Sequence, residues 1–179
     1  MAERLIRNQD NEHSARILSR GGRVHVCGDV RVQYHPRPTL GALMRQGADN
    51  GTWNAFTQRL HPYTFRARHV LPGFFFLGVL ACAALAIAGL ATGERLAIVA
   101  AAAPLLPYAL ACAIAAVGIA RRERSAALLF LLPLVFAGYH FAYGFGIVRG
   151  WLLVATGGWR SRLGVPGEEP AARRPEEVA

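Results

Sequence analysis

Three long apolar segments constrain this chain more than any other feature of its sequence. They cover residues 70–93, 96–120 and 125–148, and none of them contains Asp, Glu, Arg or Lys. Each has about 24 residues, whereas roughly 20 helical residues cross a hydrocarbon core about 30 Å thick. A helix that is apolar on every side over this length is rarely part of a soluble core. The pattern predicts an α-helical, multi-pass membrane protein with three transmembrane helices.

The arginines indicate how these segments are oriented. All 20 basic residues of the 179-residue chain are arginines, and with 11 acidic residues they give a net charge of +9. Arginine near the end of a span favours the cytoplasmic side, so this excess requires no nucleic-acid partner and none is expected. The arginines cluster before the first segment, at 59–68, and in the loop at 121–124. We therefore expect the N-terminal region on the cytoplasmic side.

Two arrangements are possible for the third segment. Three complete crossings would place the residues after 148 on the outer side, and this is the arrangement we expect. The following arginines, Arg149, Arg160 and Arg162, instead favour the cytoplasmic side. The alternative is a third segment that dips into the membrane and returns, helped by Pro133 and the glycines within 144–150.

The third segment also contains an ionisable residue, His140. A histidine inside a span is a functional-site hypothesis by default. The simpler interpretation is a neutral imidazole that hydrogen-bonds another helix, with Tyr139 and Tyr143 near an interface. The spacing Gly144-x-Gly146-x-x-x-Gly150 is typical of a face on which helices pack closely, because small residues let backbones approach.

Residues 1–68 are polar and show shorter signals. A helix is predicted from Glu12 to Arg20, ended by Gly21-Gly22. Residues 23–27 and 29–34 alternate polar and apolar side chains, which predicts two strands. A region of this size buries little apolar surface by itself. It is predicted to be a small α/β unit at the end of a larger domain.

Two amphipathic helices are predicted between these strands and the first apolar segment. Thr39 is expected to cap the first helix, and Asn50-Gly51 to break it. The second, Trp53–Leu60, leads into a basic stretch that should lie on the inner leaflet. At the other end of the chain, residues 156–179 are polar and are expected to form a disordered tail.

The order of several short motifs resembles that of a known family. Residues 7–16 read Arg-Asn-Gln-Asp-Asn-Glu-His-Ser-Ala-Arg and resemble the acidic motif of inverting family 2 glycosyltransferases. The resemblance is to the membrane-bound branch that makes succinoglycan and other exopolysaccharides. Further pieces follow in the same order: Gly21-Gly22, Tyr34-His35-Pro36-Arg37, Gln46 with Asn50-Gly51-x-Trp53, His61-Pro62, and His140-x-x-Tyr143-Gly144-x-Gly146.

The resemblance implies roles for five residues. Asp10 matches the aspartate that acts as general base on the acceptor hydroxyl, and inverting transfer needs a carboxylate to take that proton. Glu12 and Arg16 would support the substrate site by charge and hydrogen bonding. Gln46 and Trp53 fall near a Gln-x-x-Arg-Trp motif that faces the acceptor in related synthases. The register departs there, because Asp49 stands at the arginine position.

The resemblance also implies a partner domain that these residues do not supply. The family binds its nucleotide-sugar donor in a glycosyltransferase-A-type domain whose Asp-x-Asp motif holds Mg or Mn, and this sequence contains no Asp-x-Asp. Residues 1–68 are then the remnant of that domain. The expected function is the C-terminal, membrane portion of the enzyme, inactive alone and extending a lipid-linked glycan at a bacterial plasma membrane. No spacing of Cys or His predicts a metal site within the chain.

A function of another class is also open. The chain is alternatively a small non-catalytic membrane subunit that anchors or organises a partner through three packed spans. The glycine spacing in the third segment and the absence of a donor domain favour this alternative. A transporter or channel is less favoured, because no Asp, Glu, Arg or Lys lies within the three segments and His140 is their one histidine.

Overall fold

The computed structural model describes residues 5–35 and 37–163. This part of the chain contains α-helices and two short 3-10 turns, and no β-strand. The 3-10 turns connect α2 to α3, at Pro62–Thr64 and Ala67–His69. The helices are α1 (Gln9–Ser19), α2 (Leu40–Leu60), α3 (Leu71–Thr92), α4 (Arg95–Ala102), α5 (Leu105–Arg122), α6 (Ala127–Ala155) and α7 (Trp159–Arg162).

α1 ends where the glycines predict. Gly21 has a φ of 77°, in the left-handed region that glycine adopts without strain. The amide nitrogen of Gly22 then donates a 3.0 Å hydrogen bond to the carbonyl oxygen of Ile17, which satisfies a carbonyl of the last turn. The prediction of a helix stopped by Gly21-Gly22 is confirmed.

The predicted α/β remnant is wrong, because neither of its strands forms. Residues 23–35 are irregular, and their apolar side chains point into solvent: Val26 is 95% exposed and Val32 is 82% exposed. Alternating side chains form a stable strand only where a neighbouring strand pairs with the backbone and another layer covers one face. Neither is present among the residues that the structure describes.

α2 is a single helix rather than the two predicted. The Thr39 hydroxyl accepts a 3.2 Å hydrogen bond from the Ala42 amide nitrogen, so the predicted cap is confirmed. The predicted break at Asn50-Gly51 is wrong, because α2 continues to Leu60. Gly51 lies so close to α6 that a β-carbon there would be 2.2 Å from the Tyr143 carbonyl oxygen. Packing therefore overrides the turn preference of Asn-Gly, and the glycine permits the close approach.

Glycines of α6 form the other half of this contact. A β-carbon at Gly146 would lie 2.0 Å from the Ala48 carbonyl oxygen, and one at Gly150 would lie 2.7 Å from the β-carbon of Ala55. The Thr52 hydroxyl shares its proton between the Ala48 carbonyl oxygen of its own helix, at 3.0 Å, and the Gly146 carbonyl oxygen across the interface, at 3.1 Å. The predicted packing role of the Gly144–Gly150 spacing is confirmed.

The three apolar segments form long helices, as predicted. By length and composition, three helices can cross a membrane: Leu71–Thr92, Arg95–Arg122 and Ala127–Ala155. The second consists of α4 and α5, and Pro104, which has no backbone N–H, lies at the interruption. The third continues beyond its predicted end at 148. Of the predicted tail, residues 156–163 include α7, and residues 164–179 lie outside the described residues.

Candidate functional site

The polar site of this protein is built around Glu12, at the end of the first turn of α1. Its side chain is almost completely buried, at 1% exposure. A buried carboxylate is costly unless charge and hydrogen bonds compensate it. Here the Tyr63 hydroxyl donates to Oε1, and the Arg16 guanidinium lies 3.4 Å from the same oxygen. Glu12 thus fixes α1 to the segment that precedes the first apolar helix.

Tyr63 joins Glu12 to a histidine. Its hydroxyl oxygen lies 3.3 Å from Nδ1 of His61. Because the only hydroxyl proton is donated to Glu12, the Tyr63 oxygen accepts from His61, which assigns the imidazole proton to Nδ1. Desolvation and then the bond to Glu12 raise the pKa of the Tyr63 phenol. The phenol therefore remains a hydrogen-bond donor at neutral pH.

Three buried acceptor atoms in this region have no partner among the described residues. They are Oε2 of Glu12, Oε1 of Gln58 and Nε2 of His61. Gln58 lies one turn before His61, and its amide nitrogen donates a 3.1 Å bond to Oδ1 of Asn54. Buried water commonly supplies the missing hydrogen bonds of such groups. The described residues contain no group of three or more His, Cys, Asp or Glu side chains suited to a metal ion.

A second contact fixes the start of α1. Arg7 donates a 3.3 Å hydrogen bond from Nη1 to Oδ1 of Asn50, and its Nη2 lies 3.4 Å from Oδ2 of Asp49. Both partners are on α2. α1 is therefore attached at two places, to the middle of α2 through Arg7 and to the turn after α2 through Glu12.

The structure brings together only part of the predicted site. Glu12 and Arg16 are in contact, whereas Asp10 is exposed on the first turn of α1. Gln46 accepts a 3.3 Å hydrogen bond from Arg37, and the ring of Trp53 packs against Phe56 at 5.6 Å. The contacts of Gln46 and Trp53 are thus made away from Glu12.

Sequence reasoning assigned no role to Tyr63, Gln58 or His61. In the sequence His61-Pro62 is only a motif piece, and Tyr63 is 51 positions from its partner Glu12. No local spacing connects residues so far apart. A signal was nevertheless present, because His-Pro-Tyr is a polar and aromatic run six residues before the first apolar segment.

His140, the ionisable residue of the third segment, bonds to another helix. Its Nδ1 lies 2.9 Å from the Tyr108 hydroxyl of α5. The rings of Phe75 and Tyr108 pack at 4.6 Å beside it. The simpler interpretation of His140, as a hydrogen-bonding partner of another helix, is confirmed.

By length and composition, the apolar helices place this chain in the class of multi-pass helical membrane proteins. No protein-family model, curated protein or solved structure matches the chain. An origin in the family 2 glycosyltransferases therefore stays a prediction from the order of the sequence motifs.

Proposed function

We propose that this chain is the acceptor-side and membrane portion of a family 2 glycosyltransferase of the exopolysaccharide type. It would help to transfer a sugar from a nucleotide-sugar donor to a lipid-linked glycan at the cytoplasmic face of a bacterial plasma membrane. The proposal requires a donor-binding domain with Mg or Mn, whose Asp-x-Asp motif does not occur in this sequence. The role assigned to the chain is to hold the acceptor side of the reaction at the membrane.

The observation that supports this proposal is the attachment of the acidic motif to two later motif pieces. Arg7, at the start of the motif, contacts Asn50 of the Asn-Gly-x-Trp piece. Glu12 contacts Tyr63, which directly follows His61-Pro62. Pieces separated by more than 40 residues thus form one polar unit next to the first apolar helix. If the motif pieces matched the family only by chance, there would be no reason to expect them to contact one another.

In this proposal the two carboxylates of the motif have different roles. Asp10 is exposed on the first turn of α1, where it is accessible to an acceptor hydroxyl and can take its proton. Glu12 is buried and compensated by Arg16 and Tyr63, so it orients α1 instead of meeting substrate. In this proposal the exposed carboxylate, Asp10, is the base, and the buried one, Glu12, is the positioning residue.

A transfer assay tests this assignment. Membranes containing the chain, together with the product of the reading frame directly upstream, are supplied with radiolabelled nucleotide sugars, and label in the lipid fraction is counted. Asp10→Asn is expected to lower transfer about 100-fold or more. The matched control Asp29→Asn, in the exposed irregular segment, is expected to retain wild-type transfer. Undiminished transfer with Asp10→Asn refutes the assigned base, and no transfer from any nucleotide sugar by the wild type refutes the function.

A non-catalytic anchoring subunit is the second candidate. It is favoured by an apolar cleft between α3 and α6, lined by residues that include Phe74, Leu77 and Trp151. Phe74 is 67% exposed within this chain. A partner helix seated there would be found by photocrosslinking from position 74 in native membranes. A crosslinked protein together with no transfer activity would favour this function over the enzyme.

A further inference from the structure

The second half of α6 is accompanied by a polar helix. α2 runs parallel to it, because residues that follow one another along α2 meet residues that follow one another along α6. The pairs are Met44 with Gly138, Gly47 with Tyr139, Gly51 with Tyr143, and Ala55 with Gly150. Beyond the end of α6, Arg59 of α2 lies over the ring of Trp159 in α7. Residues 138–155 of α6 and all but the first turn of α2 therefore lie side by side.

α2 is too highly charged to lie in hydrocarbon. Arg45 and Arg59 are exposed, and the side chain of Asp49 is 43% exposed although it pairs with Arg7. A charged side chain at the centre of a membrane helix costs roughly 2.5–3.5 kcal/mol even on the lowest scale. The part of α6 beside α2 shares its depth and is excluded from the hydrocarbon core with it. Only residues 127–137 remain, roughly 16 Å of helix, which is too short to cross about 30 Å.

α3 and the helix α4–α5 pack as an antiparallel pair. Near the turn that connects them, Gly89 lies against Ala97 and Ile98. Farther from that turn, the ring of Phe75 lies 4.6 Å from the ring of Tyr108. Both helices are long and apolar enough to cross a membrane. This pair has the arrangement expected of two complete crossings.

α6 meets α3 at the wrong level for a third crossing. If the chain crossed three times, α3 and α6 would run in the same direction, and the first turn of α3 would lie beside the first turn of α6, near residue 127. Instead Pro72 lies against Gly144, and Gly73 lies against Ile147. That is about 17 residues, or roughly 25 Å, farther along α6. The second half of α6 is therefore level with the start of α3.

The arginines agree with this arrangement. With two crossings, the arginine-rich segments 59–68, 121–124 and 149–162 all lie on one face, and only the turn around Glu94 lies on the other. With three crossings, residues 149–162 would be separated from the other two segments. Arg59 and Arg160 also both lie 5.8 Å from the ring of Trp159, so the regions before α3 and after α6 are in contact.

From these observations we infer that the chain crosses the membrane twice, through α3 and α4–α5. α6 does not cross; with α2 it forms one layer in the headgroup region of the face from which α3 begins. The layer presents arginines to that region, and its ligand is the phosphate of anionic lipid headgroups, with which arginine pairs strongly. This inference does not depend on the proposed glycosyltransferase function.

Cysteine accessibility tests the inference in the full chain. Cys27, Cys82 and Cys112 are replaced by serine, and single cysteines are introduced as Ala67→Cys, Glu94→Cys, Glu123→Cys or Ser161→Cys, all at exposed positions. A membrane-impermeant maleimide is applied to vesicles of each orientation. We expect positions 67, 123 and 161 to be labelled from the same face, and position 94 from the other. Labelling of 161 opposite to 67, or of 123 together with 94, overturns the inference.

A second measurement uses the wild-type chain and therefore does not depend on folding of the cysteine-free variant. Green fluorescent protein is fused to either end of the wild-type chain in bacterial cells. This reporter fluoresces when it folds in the cytoplasm and stays dark when it is exported unfolded. Fluorescence from both fusions is expected, and fluorescence from only one overturns the inference.

The lipid contact is tested with purified chain and vesicles of phosphatidylglycerol or phosphatidylcholine. We expect Arg59→Gln/Arg160→Gln to lower binding to the anionic vesicles at least about threefold relative to the matched control Arg23→Gln/Arg31→Gln. Equal binding of the two variants, or displacement by inorganic phosphate alone, refutes the lipid contact.

Discussion

Replacing Gly146 with alanine is the sharpest test of the packing between α2 and α6. An alanine β-carbon would lie 2.0 Å from the carbonyl oxygen of Ala48, where ordinary contact begins at 3.4 Å. The obstacle is backbone, which no rotamer change can remove, so the helices must separate by about 1.4 Å. Separation also weakens the 3.1 Å hydrogen bond from Thr52 to the Gly146 carbonyl oxygen.

The expected loss follows from these two effects. Overpacking of a tight interface costs roughly 1–3 kcal/mol, and loss of one buried hydrogen bond about 1 kcal/mol. We therefore expect Gly146→Ala to lower the free energy of unfolding by about 3 kcal/mol. This is a large share of the total for a marginally stable fold.

The chain offers a matched control at Gly118 in α5. A β-carbon there meets no atom within 4 Å. In a helix interior, alanine is more favourable than glycine by roughly 0.5–1 kcal/mol, so Gly118→Ala is expected to be neutral or stabilising. Thermal unfolding of purified chain in one detergent, followed by circular dichroism, compares the two variants. Equal melting temperatures for Gly146→Ala and Gly118→Ala would refute the reasoning.

Three further predictions concern the polar part of the chain. Tyr63→Phe leaves Oε1 of Glu12 without its hydroxyl donor and should cost about 1–3 kcal/mol; in a double-mutant cycle, strictly additive effects of Tyr63→Phe and Glu12→Gln would contradict the bond. Thr39→Ala removes the cap of α2 and should cost about 1 kcal/mol in thermal unfolding; an unchanged melting temperature would contradict the cap. Burial, and then Arg68 and Arg66, lower the pKa of His69 below its ordinary 6.5, so below that pH the unfolded chain binds the proton more readily. Stability should therefore fall as the pH drops below about 6.5, by less in His69→Gln, and identical pH profiles would contradict this effect.

The signals that predicted structure correctly are local ones. Thr39 and Gly21 act within one helical turn, so the residues that each contacts are visible in the sequence beside it. The apolar helices were equally accessible, because crossing a membrane requires only length and composition. The wrong predictions depended on distant residues. The valines of residues 23–35 would form strands only with a partner strand beside them. The helix continues through Asn50-Gly51 because α6 lies against it, and the local sequence does not show that contact.

The candidate site was predictable only in part for the same reason. The sequence motif identified Glu12 and Arg16, which are one helical turn apart and therefore neighbours. It gave no indication that Glu12 would be buried and Asp10 exposed, because burial depends on where Tyr63 and His61 are placed. Those two residues follow α2, and the position of α2 is set by its contact with α6. Knowledge of that distant contact was needed to tell the two carboxylates apart.

The α2–α6 interface and the polar site are mechanically connected. Asn54 accepts from Gln58 and donates a 2.9 Å hydrogen bond to the Tyr143 hydroxyl of α6. Gln58 lies one turn before His61, whose neighbour Tyr63 holds Glu12. These hydrogen bonds, together with the stretch of chain from Gln58 to Tyr63, link α6 to the carboxylate that orients α1. The packing of α2 against α6 therefore helps to position the acidic motif, because both residues that hold the motif, Asn50 and Tyr63, lie in or directly after α2.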